Sequence, residues 1–208
     1  MFASFDDDAL EQLATHATTR SLHRGDVLFH EEDEASALFI VESGRIAISN
    51  KSFDGRESMV ALMETGDLFG EMGLFDERGR SAEARTLERA EVVQIPYEPI
   101  VNLYDTHPQL LRGVVEMLVR RLRSMDMALA DSVFLDVTGR TAKRLLEIAG
   151  ENDDFELPVT QEELAGMVGA SRERVNKSIA QFVKLGWLEQ RPRGYRITNR
   201  EQMEIRSM

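Results

Sequence analysis

The hydrophobic pattern of this chain changes period near Pro108, and that change restricts the folds open to it more than any other feature. Between residues 22 and 95 the apolar residues come in short runs, Val27 to Phe29, Leu38 to Val41, Ile46 to Ile48, Met59 to Met63 and Val92 to Ile95. Gly25, Gly44, the Asp54-Gly55 pair and Gly66-Asp67 fall between them. Short runs separated by turn residues predict strands in an antiparallel barrel or a double-sheet roll. A short helix with Leu10, Leu13 and Ala17 on one face is expected ahead of them. After Pro108 the steps become three and four residues long, through Val115, Leu118, Leu122, Met125, Leu129 and Ser132. That spacing predicts a long helix with a coiled-coil seam. Arg120, Arg121, Arg123 and Asp126 crowd the flanks of the stripe, so a matching helix from a second copy is its expected cover.

The C-terminal third is punctuated by helix signals. Asp136 is placed to cap a helix whose apolar face is Ala142, Leu145, Leu146 and Ala149, with Gly150 as its stop. The acidic stretch Glu151 to Glu156 reads as a connector. Thr160-Gln161-Glu162-Glu163 is a capping box that opens a helix with Leu164, Met167 and Val168 inward. Gly169-Ala170 makes a sharp turn, and Ser171 caps a second helix with Val175, Ile179, Phe182 and Val183 inward. Arg172, Glu173, Asn176 and Lys177 share a different face of that helix. Gly186 ends it, and Trp187 to Thr198 reads as a hairpin with Pro192-Arg193-Gly194 at its tip.

Charge also divides the chain. A net charge of −12 spread evenly over 208 residues would argue against a nucleic-acid partner. From Leu157 onward, however, nine Arg and Lys face six Glu, a balance of +3, which leaves −15 on the remainder. The length suits two domains, and the charge step sets their boundary between Asp136 and Leu157. The chain has no cysteine, which removes disulfides, thiolate zinc sites and cysteine-ligated clusters. No apolar run reaches membrane-spanning length and residues 1–8 are acidic, so a cytoplasmic protein without a membrane partner is expected.

Two segments carry chemistry. Phe69 to Ala82 sets Gly70, Gly73, Glu71 and the Arg80-Ser81 pair around a tight turn. Glycines let backbone N–H groups approach an anion, Arg80 offers a fork for phosphate oxygens, Ser81 adds a hydroxyl, and Glu71 can accept from a sugar hydroxyl. The same residues also describe an ordinary surface hairpin, and no P-loop lysine follows. In the second segment, Arg172, Glu173 and Lys177 carry groups that donate to guanine or accept from cytosine in a major groove. The helix starts at Thr160 and Ser171 present N–H groups to phosphates, and Arg191, Arg193 and Arg196 add positive charge from the hairpin.

Phe-Gly-Glu-Met-Gly-Leu-Phe with Arg-Ser-Ala at 69–82, Phe-Leu-Asp-Val-Thr-Gly-Arg at 134–140, and Val-Gly-Ala-Ser-Arg-Glu-Arg-Val-Asn-Lys at 168–177 together carry a resemblance. Over nearly its whole length the chain resembles the cyclic-AMP receptor protein (Crp/Fnr) family of bacterial transcription regulators. The resemblance implies an α+β protein: an antiparallel β-roll that binds cyclic nucleotide over 1–107, a dimerisation helix and hinge over 108–135, and a winged helix-turn-helix over 136–208. It implies that Gly70, Glu71, Arg80, Ser81 and Ala82, with Met72 and Gly73 in the same turn, hold the ribose and cyclic phosphate, and that Arg121 approaches from behind. Leu122, Met125 and Asp126 then match the positions that meet the base. The family more often has small polar side chains there, whereas Asp126 accepts equally from adenine or guanine N–H groups. Cyclic AMP is the expected effector, with cyclic GMP as the alternative and no metal. On the DNA side the resemblance implies that Arg172, Glu173 and Lys177 read a TGTGA-like half-site of a palindrome, while Thr160, Gln161 and Ser171 meet phosphates. A homodimer that engages RNA polymerase completes the expectation, with Phe134 to Asp136 as hinge.

Two rival readings stand beside it. The same fold can act on DNA without a ligand or with another effector; His16, His23, His30 and His107 read as surface or interface residues rather than haem ligands. A metal-dependent β-roll enzyme would have to use His23, His30 and Glu31, which lack the usual ligand spacing. Glu71 with Arg80 has no nucleophile or metal ligands beside it for a phosphodiesterase.

Overall fold

The computed structural model describes residues 5–51 and 57–208, so the expected Asp54-Gly55 turn lies outside the described residues. The chain divides into two compact units, 1–123 and 124–208, and the division falls inside a long helix, α4 (Leu111–Phe134).

The first unit opens with α1 (Asp7–Ala14), which starts where the Asp6 carboxylate accepts from the Ala9 N–H at 2.9 Å. The helix stops before Ala17, and its buried side chains are Ala9 and Leu13, while Leu10 is exposed. Residues 9 and 13 are four apart and share a face that position 10 leaves, so the expected apolar face is shifted by one residue. The strands follow: β1 (Thr18–Leu22), β2 (Val27–Phe29), β3 (Ala37–Ser43), β4 (Ile46–Lys51), β5 (Glu57–Met63), β6 (Leu68–Phe69), β7 (Glu83–Thr86) and β8 (Ala90–Pro96). They form two antiparallel four-stranded sheets, in the orders β1-β8-β3-β6 and β2-β7-β4-β5. Every strand expected from an apolar run is present. β1, β6 and β7 were not legible, because Thr-Thr-Arg-Ser-Leu and Glu-Ala-Arg-Thr are largely polar and β6 is two residues long. Pairing with the strands beside them makes them strands.

Strand β3 shows why its apolar run is unbroken. Phe39 and Val41 pack between the two sheets with Leu22, Ile46, Phe69, Ala84 and Val92. Leu38, on the other face, joins a second cluster with Leu13 of α1, Ile100 and Leu103 of α3 (Tyr97–Thr106), and Val114 and Met117 of α4. A strand covered on both faces loses the alternation expected of a half-exposed one. Burial of these side chains contributes about 1.5–3 kcal/mol each. Between β6 and β7 the chain makes a one-turn helix, α2 (Met72–Asp76).

In the second unit, α5 (Val137–Ala149) starts at Asp136, whose carboxylate accepts from the Gly139 N–H at 2.8 Å, and ends at Gly150. α6 (Gln161–Val168) and α7 (Arg172–Lys184) follow with the expected caps, joined through Gly169 in a left-handed conformation. Val183 is exposed rather than inward; Val175, Ser178, Ile179 and Phe182 form the buried side of α7. The acidic connector is in part a strand, β9 (Asp154–Glu156), which pairs with β11 (Gly194–Ile197). β11 pairs on its other edge with β10 (Leu188–Gln190), so the hairpin is extended to three strands. A final helix, α8 (Arg200–Arg206), brings Arg206 onto the Asp136 carboxylate.

The cap at Asp136 has a pH signature. The Gly139 N–H and then Arg206 hold its carboxyl below the ordinary 3.8. A depressed folded-state value means that its contribution is complete above the unfolded value and is lost as pH falls through the folded one. Asp136→Ala should lower stability by about 1 kcal/mol at pH 7. Asp136→Asn retains a capping oxygen without the titration, so its melting temperature should fall less than that of the unchanged protein below pH 4. Parallel acid limbs in thermal melts would refute the role of this carboxylate.

Candidate functional site

The turn between β6 and β7 is organised by a buried guanidinium. Arg80, 7% exposed, donates through Nη1 to the Gly70 carbonyl at 2.8 Å and through Nη2 to the Ala37 carbonyl at 2.8 Å. Its plane lies over Phe29, 4.3 Å from the ring centroid, and Nη1 also reaches the Tyr97 hydroxyl at 3.2 Å. The Tyr97 hydroxyl in turn donates to the Gly70 carbonyl. Burial pushes the Arg80 guanidinium below its ordinary value, with Tyr97, Asp33 and Glu71 opposing, and burial raises the Tyr97 phenol. The Nε–H of Arg80 is buried and has no hydrogen-bond partner among the described residues. Leaving a charged donor unpaired is costly, so the site lacks an acceptor that an anion's oxygen would supply.

Gly70 must be glycine here. Its φ is +75°, and an added Cβ would stand 2.8 Å from Arg80 Nη1 and 3.3 Å from the Phe39 ring. At Gly73 a Cβ would meet Ala35 at 2.5 Å and the Arg78 carbonyl at 2.8 Å, so this residue lets two loops close on each other.

The other residues expected to hold ligand differ in burial and in partners. Glu71 is 2% exposed and pairs through Oε1 with Arg121 of α4, which also donates to the Leu68 carbonyl. Its Oε2 has no hydrogen-bond partner among the described residues. Ser81 is exposed and its hydroxyl donates to the Met72 sulfur at 3.3 Å, a weak acceptor easily exchanged for a better one. Ala82 is buried and Met72 half-exposed. Leu122, Met125 and Asp126 are exposed along α4. An orphaned cationic donor, a weakly held hydroxyl and a carboxylate with a spare oxygen fit a sugar phosphate. Sequence reasoning missed Phe29, Ala37 and Tyr97, the floor under Arg80. Nothing in their spacing marks them, since they come from β2 of one sheet, β3 of the other and the start of α3, and only the packing of these elements brings them together.

The second site is the outer face of α7. Thr160 and Glu163 make the capping box: Thr160 Oγ1 accepts from the Glu163 N–H at 3.3 Å and the Glu163 carboxylate accepts from the Thr160 N–H at 2.6 Å. Ser171 Oγ accepts from the Arg174 N–H at 3.4 Å. Arg172, Glu173, Asn176 and Lys177 are all exposed, and their side chains make no hydrogen bond or ion pair among the described residues. The hairpin behaves differently. Arg191 pairs with Glu189 at 3.2 Å and Asp154 at 3.5 Å, and Arg196 with Asp154 at 3.7 Å, so part of its expected positive charge is met within the sheet. Arg193, at the tip, is exposed and has no such pair among the described residues. Gln161 is half-buried, with Nε2 donating to the Tyr195 hydroxyl at 3.0 Å. Its Oε1 is buried without a hydrogen-bond partner among the described residues, so the side chain points into the protein and its backbone N–H is what the α6 start can offer.

The two histidines of the rival metal reading have other partners. His30 Nδ1 lies 2.9 Å from Glu83, and His23 faces Asp26. Among the described residues no three His, Cys, Asp or Glu group as metal ligands, and no helix is long and apolar enough to cross a membrane.

Comparison with known proteins agrees with this division. Residues 19–107 match the family model of the cyclic nucleotide-binding domain, and residues 139–205 that of the Crp-like helix-turn-helix domain. The chain is 33% identical over 214 residues to the CRP-like cAMP-activated global transcriptional regulator of Mycobacterium tuberculosis, covering 100% of this chain and 96% of that one. It is 32% identical to the cAMP-activated global transcriptional regulator CRP of Haemophilus influenzae, over 83% of this chain and 80% of that one. Among solved structures it is similar to the c-di-GMP responsive global regulator CLP of Xanthomonas campestris, with a TM-score of 0.81 and 27% identity over 92% of this chain and 99% of that one.

Packing at Gly70 is open to direct test. Gly70→Ala should cost about 1–2 kcal/mol for the positive φ alone, and more because the methyl meets Arg80. Gly66 has φ +92° and open space around its Cβ position. Gly66→Ala therefore carries the backbone cost without the contact. Denaturant unfolding should separate the two variants by about 1 kcal/mol or more, and equal losses would mean that Arg80 does not constrain position 70.

Proposed function

Because the chain belongs to the Crp family of transcriptional regulators, whose cyclic nucleotide-binding and helix-turn-helix domains it carries, we propose that the Gly70–Ala82 turn binds cyclic AMP and thereby controls how tightly α7 holds an operator. The family consists of regulators rather than enzymes, and both domains are present here. The observation that supports the ligand site most is the buried Arg80 with its unpaired Nε–H, flanked by Gly70, Glu71 and Ser81. In this reading Arg80 and Ser81 hold the cyclic phosphate, Glu71 takes a ribose hydroxyl, and Gly70, Met72, Gly73 and Ala82 shape the wall. Arg121 holds the Glu71 carboxylate in place. Leu122, Met125 and Asp126 meet the base.

Cyclic AMP is favoured over cyclic GMP because relatives at 33% and 32% identity are described as cAMP-activated. The c-di-GMP responsive relative makes that dinucleotide the second effector to test. On the DNA side, Arg172, Glu173 and Lys177 read base edges, with Thr160, Ser171 and the Gln161 backbone on phosphates. Exposed Val115, Leu118, Leu122, Met125 and Leu129 form the dimer seam of α4. Two-fold symmetry then requires a palindrome with half-sites about one helical turn apart. Domains divide at 107 and 135, the dimer works in the cytoplasm, and it recruits or blocks RNA polymerase. The effector acts by favouring the conformers in which both α7 helices fit successive major grooves, with Phe134 to Asp136 as the hinge.

Operator binding by fluorescence anisotropy, titrated with cAMP, cGMP and c-di-GMP, tests the ligand. We expect cAMP to tighten binding about tenfold or more, a coupling within the usual range, and Arg80→Ala and Ser81→Ala to weaken that response. Operator affinity indifferent to all three at millimolar concentration would remove the sensor. For the seam, Leu118→Asp with Leu122→Asp should convert a dimer to a monomer in sedimentation experiments and abolish cooperative operator binding. A doubly substituted chain that remains dimeric would place the interface elsewhere.

A further inference from the structure

We propose that Asn176 reads a base of the operator and that the base is adenine, an assignment that rests on the reading of α7 as the helix that enters the major groove. With 3.6 residues per turn, Asn176 stands one turn after Arg172 and three residues after Glu173, inside an arc of about 140° that runs from Arg172 to Lys177. The opposite side of the helix is closed by buried Val175, Ile179 and Phe182, so this arc is the outward one. Asn176 is therefore set among the residues that meet base edges, not at the rim with the phosphates.

Its amide has no role inside the protein. It is exposed, and its side chain makes no hydrogen bond among the described residues. The helix is capped at Ser171 and closed at Leu185, so Asn176 serves neither end. Asparagine in a helix interior is a poorer helix former than alanine. By contrast, Ser178 donates to the Arg174 carbonyl at 3.0 Å and faces Thr138 at 3.2 Å, its polarity used locally. On the outward arc, Asn176 alone carries both a donor and an acceptor on one rigid group. Adenine presents that pair in the major groove, N7 to accept and N6 to donate, and an Asn carboxamide matches both. Arg172 and Lys177 only donate, and Glu173 only accepts. Ala180, the next residue along the arc, has only a methyl group, so a short amide can reach a base edge past it.

Selection of binding sites from a random-sequence library, with the full chain and cAMP, decides the matter. The unchanged protein should enrich adenine at one symmetry-related pair of positions. Asn176→Ala should lower discrimination at those positions by about tenfold and leave the others intact. Asn176→Asp retains an acceptor and loses the donor, so the same position should turn toward cytosine. Thermal melts confirm that both variants fold. An Asn176→Ala preference matrix identical to that of the unchanged protein, or a uniform loss of affinity on every sequence, overturns the assignment while DNA reading by α7 stands. No enriched site for the unchanged protein would remove the DNA reading and this assignment with it.

Discussion

A guanidinium withdrawn almost entirely from water governs the first unit. Burying a charge is affordable only when its donors are met, and Arg80 meets them with main-chain carbonyls at Gly70 and Ala37 and with the Tyr97 hydroxyl. Those acceptors belong to the turn after β6, to strand β3 and to the start of α3. One side chain thereby joins elements separated widely in sequence, over a floor of Phe29, Phe39 and Phe69 whose rings lie 5.4–6.2 Å apart. The arrangement leaves the Nε–H unmatched. A residue that holds the turn in place and still lacks one acceptor is suited to respond to an anion, because a new acceptor would act on the same guanidinium that positions the loop.

Polar groups are deployed differently in the second unit. Asp136 accepts from Gly139 and pairs with Arg206, and Arg140 donates to the carbonyls of Leu135 and Val168, so the entry to α5 is tied to the turn between α6 and α7. The wing arginines at 191 and 196 share Asp154. Against this economy the outward arc of α7 stands apart: four polar side chains with no internal partner. Exposed ion pairs contribute little to stability, so leaving these groups unpaired costs the fold little and keeps them available to a partner.

Much of the architecture was legible in the sequence because local signals and burial agree. β2, the capping box at Thr160 and Glu163, the caps at Asp136 and Ser171 and the left-handed Gly169 all fall where residue type dictates. What was missed has a common cause. β1 and β7 are polar strands created by their neighbours, α3 begins directly after β8 with only Pro96 to mark the change, and β9 lies in an acidic stretch that looks like a linker until β11 pairs with it. Leu10 and Val183 differ because periodicity alone does not decide which edge of an apolar face meets the core.

The candidate sites divide the same way. The sequence alone determined the chemistry on offer: glycines without Cβ, a carboxylate, an Arg-Ser pair, and a short helix face of bases, acid and amide. Those properties are carried by residue type and need no neighbour. Only the tertiary structure decided which of these groups are occupied and which are free. It paired Glu71 with Arg121 across fifty residues, turned the Gln161 amide toward Tyr195, neutralised part of the wing and left Arg80 one acceptor short. Hydrogen-bond partners are a property of position in space, and sheet pairing and helix packing bring together residues that no spacing along the chain reveals.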